Sequence, residues 1–100
     1  APLSEADMAE IVRIQARGLT QRLAEKGISL HFSEEALQLI GSLGYDPQFG
    51  ARPVKRLLQK EVINRLSKSI LAGEVSKDSA IEVVARQGDI QFEPRETVNQ

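Results

Sequence analysis

The residues of this chain best suited to chemistry are Arg52, Lys55 and Arg56, three cations gathered at the start of a predicted helix with no acid among them. They follow a turn-rich run, Gly44-Tyr45-Asp46-Pro47-Gln48-Phe49-Gly50-Ala51-Arg52-Pro53. Pro47 and Pro53 fix φ at two points, and Gly44 and Gly50 supply permissive backbone. Pro53 reads as the first helical residue, where its missing N–H costs nothing. A helix N-terminus carries about half a unit of positive charge, so each cation there costs roughly 0.3–1 kcal/mol. The natural compensation is an anion, because helix-start amides plus a guanidinium form a phosphate-binding end. The alternative is a solvated basic face with Arg52 paired to an acid elsewhere in the fold.

The other helix starts obey the dipole rule. Ser4 is an N-cap followed by Glu5 and Asp7, and Ser33 is an N-cap followed by Glu34 and Glu35. No further chemistry emerges from the composition. There is no cysteine, which excludes disulfides, thiolate metal sites and cysteine nucleophiles. The single histidine, His31, sits on the polar side of the alternation Ile28-Ser29-Leu30-His31-Phe32 and has no partner for a metal pair. Ser33 lacks a base of the right type, and no glycine-rich loop ends in Gly-Lys-Ser/Thr. No catalytic residue is expected, and the chain alone is not expected to be an enzyme.

The elements that must position Arg52 are legible from periodicity. Met8, Ile11, Val12, Gln15, Leu19 and Leu23 mark a first helix from about Glu5 to Lys26, closed by Gly27. Residues 28–32 read as a short half-buried strand. Ala36, Leu37 and Ile40 mark a second helix stopped by Gly44, and Val54, Leu57, Leu58, Val62, Leu66 and Ile70 a third from Pro53 to about Ala72, stopped by Gly73. Ala80–Arg86 and Ile90–Glu93, joined through Gln87-Gly88-Asp89, read as a hairpin. The expected fold is α+β, three helices with a sheet of about three short strands. Residues 1–93 form one domain, and 94–100 are a polar, frayed tail.

One hundred residues support one domain. The net charge of −1 argues against a generic nucleic-acid or membrane binder. Residues 50–68 do carry +5, which could lie along phosphates. Yet Lys55, Arg56 and Lys60 can simply flank the apolar stripe, and no aromatic residue interleaves with them. Neither a nucleic-acid partner nor a membrane is expected. With no long apolar run and no signal pattern, the chain reads as soluble, and its lack of cysteine fits a reducing, cytoplasmic setting. It opens on Ala1-Pro2, from which a piece of a longer protein or a processed terminus is expected.

The run Gly44-Tyr45-Asp46-Pro47, then Phe49-Gly50-Ala51-Arg52-Pro53 and Val54-Lys55-Arg56-Leu57-Leu58-Gln59, resembles the sensor-2 region of the Clp/heat-shock AAA+ ATPases. The likeness extends from Pro2-Leu3 through the first helix to Ile70-Leu71-Ala72-Gly73 and the strand beyond, nearly the whole chain. Within the class it is most similar to the C-terminal small subdomain of the second AAA+ module of a ClpB-type disaggregase. The protease-coupled ClpA and ClpC unfoldases are the nearest alternatives, and an independent basic-helix interaction module is the alternative of another class. The resemblance implies that Arg52 reaches the γ-phosphate of ATP bound by the large subdomain of the same module, with magnesium held outside these residues. It implies that Gly50 and Ala51 let the backbone approach the nucleotide, unless they serve turn geometry alone. Ile11 contributes to an adenine wall on that reading, or else packs in the core. Tyr45 and Phe49 are expected to pack the loop onto the core rather than touch nucleotide. The implied partners are the large subdomain, neighbouring protomers of a homohexamer, and unfolded or aggregated protein handled by the parent.

Overall fold

Ser4 opens the first helix with a reciprocal cap: its Oγ accepts from the Asp7 amide at 3.0 Å, and Asp7 Oδ2 accepts from the Ser4 amide at 3.1 Å. The computed structural model describes residues 3–95. Helix α1 (Glu5–Glu25) buries Met8, Val12, Ala16, Leu19 and Leu23. The buried stripe therefore runs through Ala16 rather than the expected Gln15, which is exposed. Beyond the cap at Lys26 the chain reverses through Gly27 at φ 83°.

Strand β1 (Leu30–Phe32) is shorter than the alternation in residues 28–32 predicts. The Ile28 amide returns to the Leu23 carbonyl at 2.9 Å, closing α1, so it is lost to the ladder. Helix α2 (Glu34–Leu43) begins at Ser33, whose Oγ accepts from the Ala36 amide, and packs Gly41 against Val12 of α1. Residue 44 has φ −92°, so this glycine is not there for a left-handed turn. A Cβ at Gly44 would lie 2.7 Å from Val54 Cγ2 and 3.0 Å from the Ile40 carbonyl oxygen. Close approach of α2 to the start of the third helix is what requires glycine there.

The third helical rod has three segments: α3 (Pro53–Leu57), a π-helical stretch (Leu58–Asn64) and α4 (Arg65–Leu71). Its buried residues, Val54, Leu58, Val62 and Leu66, recur every fourth position. In an α-helix of 3.6 residues per turn such a stripe drifts by about 40° at each step. The wider π turn opposes that drift and keeps the stripe on the core. Arg65 ties the rod to the hairpin, donating to Asp89 at 2.9 and 3.2 Å and to Glu61 at 3.0 Å.

The sheet runs in the order β1-β2-β3, with β2 (Ile81–Arg86) parallel to β1 and antiparallel to β3 (Asp89–Pro94). Leu30, Phe32, Ile81, Val83 and Ile90 are buried against the helices, while His31 is exposed, as the alternation predicts. The hairpin turn is the two residues Gln87 and Gly88, both at positive φ (54° and 75°), the geometry that matches strand twist. Strand β3 includes Pro94, paired with Ile81, and the Arg95 amide donates to the Ala80 carbonyl. Pro94 thus belongs to the sheet rather than to a tail; residues 96–100 of the expected tail lie outside the described residues. Pairing through Pro94 is possible because β3 is an edge strand.

Candidate functional site

The loop between α2 and α3 is built around one carboxylate. Asp46 Oδ1 accepts from the Gln48 amide at 2.7 Å and the Phe49 amide at 2.9 Å. The Asp46 and Gly50 backbones bond reciprocally, at 2.8 and 2.6 Å, and close a small ring. Gly50 takes φ 68°, the left-handed conformation expected of it, and a Cβ there would lie 3.3 Å from Leu3 Cδ1 at the chain's approach to α1. Ala51 is half-buried and packs on the core. Thus Gly50 turns the chain, Ala51 anchors it, and Arg52 emerges exposed at the helix start.

Pro53 is the first helical residue, as expected. The amide contribution to an anion site is smaller than the sequence suggests, because Pro53 has no N–H and the Val54 amide donates to the Ala51 carbonyl at 3.0 Å. The guanidinium therefore carries the anion-binding capacity. The four ion pairs among the described residues engage Arg13, Arg65 and Arg86, and none includes Arg52, Lys55 or Arg56. Of the two sequence readings of Arg52, pairing with an acid elsewhere in the fold is thus not seen among the described residues. The basic rod is also less continuous than its composition suggests, since Glu61 and Asp89 neutralise Arg65. Asp89 lies below the usual carboxylate range because Arg65 and its neighbour's amide at Ile90 both donate to it.

Tyr45 and Phe49 do not pack the loop onto the core. They are 38% and 50% exposed, and the Arg52 guanidinium carbon stands 5.6 Å from the Phe49 ring centre, within cation–π range. Sequence periodicity could not find this contact, because it joins two solvent-facing residues of an irregular loop. Ile11 is half-buried on α1 beside the core residue Val12, outside the buried cluster. Gly50, Ala51 and Arg52 are contiguous at the end of the loop, whereas Ile11 is carried by α1. A cleft of about 750 Å³ runs between the start of α1 and α2, walled by Leu3, Met8, Leu37 and Gly41, and Tyr45 links its rim to the loop. Among the described residues no group of three or more His, Cys, Asp or Glu side chains forms a metal site. No helix there is long and apolar enough to cross a membrane.

The family model for the C-terminal D2-small domain of ClpB protein matches residues 3–83, from the approach to α1 through the first half of β2. This chain belongs to the ClpB D2-small domain family. Chaperone protein ClpB of Meiothermus ruber is 45% identical over 96 residues, 96% of this chain and 11% of that protein. The ClpB chaperones of Rickettsia bellii (43% over 91 residues) and Bacteroides thetaiotaomicron (44% over 88) match 91% and 88% of the chain. The chain spans about a tenth of the length of these curated relatives. The architecture of this family member is α+β, three helical rods with a three-stranded sheet.

Proposed function

We propose that this chain is the C-terminal lid subdomain of an ATP-dependent protein disaggregase, in which Arg52 senses the terminal phosphate of bound ATP. One observation carries the reading: Arg52 is an exposed guanidinium with no carboxylate partner among the described residues, presented by a loop that Asp46 and Gly50 hold in one conformation. A guanidinium fits phosphate oxygens with two parallel hydrogen bonds. Preorganisation matters because a loop that had to be ordered on binding would offset part of that gain. ATP would supply the charge and the bond to be broken, and its magnesium would be held by the large subdomain of the parent protein, outside these residues. Gly50 and Ala51 bring the backbone close to the nucleotide, and Ile11 contributes an apolar wall from α1.

The exposed apolar residues fit a subdomain that is covered in its parent. Leu43, Tyr45 and Phe49 flank the loop, and Ile14 lies 54% exposed one turn from Ile11. Such surface is where the large subdomain of the same chain and the neighbouring protomers of a homohexamer dock. Closing the lid on ATP would then transmit phosphate occupancy to the ring, and through it to unfolded or aggregated protein substrates in the cytoplasm. The family match favours this over a protease-coupled unfoldase. The test is steady-state ATP hydrolysis by the full-length parent with Arg52→Ala, with hexamer formation measured alongside. A charge-assisted hydrogen bond contributes about 1.5–3 kcal/mol, so kcat/KM for ATP should fall by roughly 10- to 150-fold with the ring intact. An unchanged kcat/KM would remove Arg52 from the role.

A further inference from the structure

We infer that Phe49 is a positioning residue for Arg52, its ring serving as the platform that aims the guanidinium; this rests on the proposed sensing role of Arg52. The half-exposed Phe49 ring lies outside the buried core, so packing within this subdomain does not account for an aromatic residue there. What it does have is the guanidinium of Arg52 at 5.6 Å from its centre. A free arginine side chain loses considerable rotamer entropy when it binds a ligand. The ring narrows the choice beforehand, because a cation is attracted to the negative face of the π-system. It does so without neutralising the charge, as a carboxylate partner would, and leaves the N–H groups available to an anion.

The platform is itself fixed. Asp46 Oδ1 holds the Phe49 amide at 2.9 Å, and the Phe49 carbonyl accepts from the Arg52 amide at 3.4 Å. Carboxylate, ring and guanidinium thus form a short chain of restraint from the loop's centre to its functional tip. Asp46 acts on the backbone of Phe49, and Phe49 acts on the side chain of Arg52.

The experiment uses the full-length parent carrying phenylalanine with zero to three ring fluorines at residue 49, beside Phe49→Leu, Phe49→Tyr and Arg52→Ala. Fluorination drains the negative face of the ring with little change in size, so a merely structural role leaves the series flat. The readout is ATP affinity by fluorescence titration under conditions without turnover. The expected result is a graded loss across the series, reaching about two- to five-fold with three fluorines, the range of an exposed cation–π contact. Phe49→Tyr should retain the affinity, and Phe49→Leu should match the trifluorinated form. A flat series with Arg52→Ala still weakening ATP overturns the role of Phe49 and leaves the sensing role standing. Unchanged affinity in Arg52→Ala overturns both.

Discussion

Replacing Gly44 by alanine separates two accounts of why glycine occupies that position. At φ −92° alanine adopts the backbone without strain, and Gly→Ala at such a site ordinarily stabilises a protein by about 0.4–1 kcal/mol through the unfolded chain. The packing predicts the opposite sign. The new methyl would stand 2.7 Å from Val54 Cγ2, 3.0 Å from the Ile40 carbonyl and 3.3 Å from Val54 Cα, against an optimum of about 3.5–4.0 Å for carbon pairs. A rotamer change at Val54 relieves only the first contact, and Val54 is 1% exposed with little room to turn. The other two contacts are backbone, so the end of α2 and the start of α3 must separate by several tenths of an ångström. Overpacking of this kind costs typically 1–3 kcal/mol, which after the entropic gain of about 0.4–1 kcal/mol leaves a central net loss of about 1.3 kcal/mol. At about 4–8 °C per kcal/mol for a domain of this size, that loss lowers the midpoint by roughly 5–10 °C. Urea unfolding and calorimetry of the Gly44→Ala chain measure it. Equal or greater stability would refute the close-approach argument.

Gln87 holds φ 54° at the first position of the two-residue hairpin turn, a conformation that costs an ordinary side chain about 1–2 kcal/mol. Gln87→Asn should recover roughly 0.5 kcal/mol, seen as a higher urea midpoint with an unchanged slope; a lower midpoint would contradict the turn assignment. On acidification, Glu93 and Asp89 are the groups to follow, each held below the usual carboxylate range by hydrogen bonds, from Arg86 and Arg65 respectively. For lowered folded values the stabilisation is complete above the unfolded pKa near 4 and is lost as pH falls through the folded values. The doubly neutralised Asp89→Asn, Glu93→Gln chain should therefore lose less stability between pH 6 and pH 2 than the parent sequence, and an identical loss would dismiss both pairs.

The sequence is most informative where a local rule has one solution. The caps at Ser4 and Ser33, Pro53 at the helix start and the exposed His31 follow from short-range chemistry, and the structure places each as expected. Where tertiary contacts decide, periodicity falls short. The buried stripe of α1 passes through Ala16 instead of Gln15: the small apolar side chain joins the core and the longer polar one stays in solvent. The π-helical stretch has a signature in hindsight, apolar residues at every fourth position, which α-helical templates absorb as ordinary scatter. Gly44 reads as a turn glycine until the proximity of Val54 is known. The proposed anion site is legible as a charge anomaly at Arg52, but the loop geometry around it is not. Asp46 as the loop's organiser and Phe49 as the ring beneath the guanidinium depend on how an irregular segment closes on itself.

If Arg52 reads the terminal phosphate, it must discriminate ATP from ADP. Affinities for the two nucleotides are measured by titration of the intact full-length parent and of Arg52→Ala, both checked for ring assembly. Arg52→Ala should weaken ATP by roughly 10- to 150-fold while ADP binding changes little, so that the preference between them collapses. An equal change for both nucleotides, or none for either, would contradict phosphate reading by Arg52.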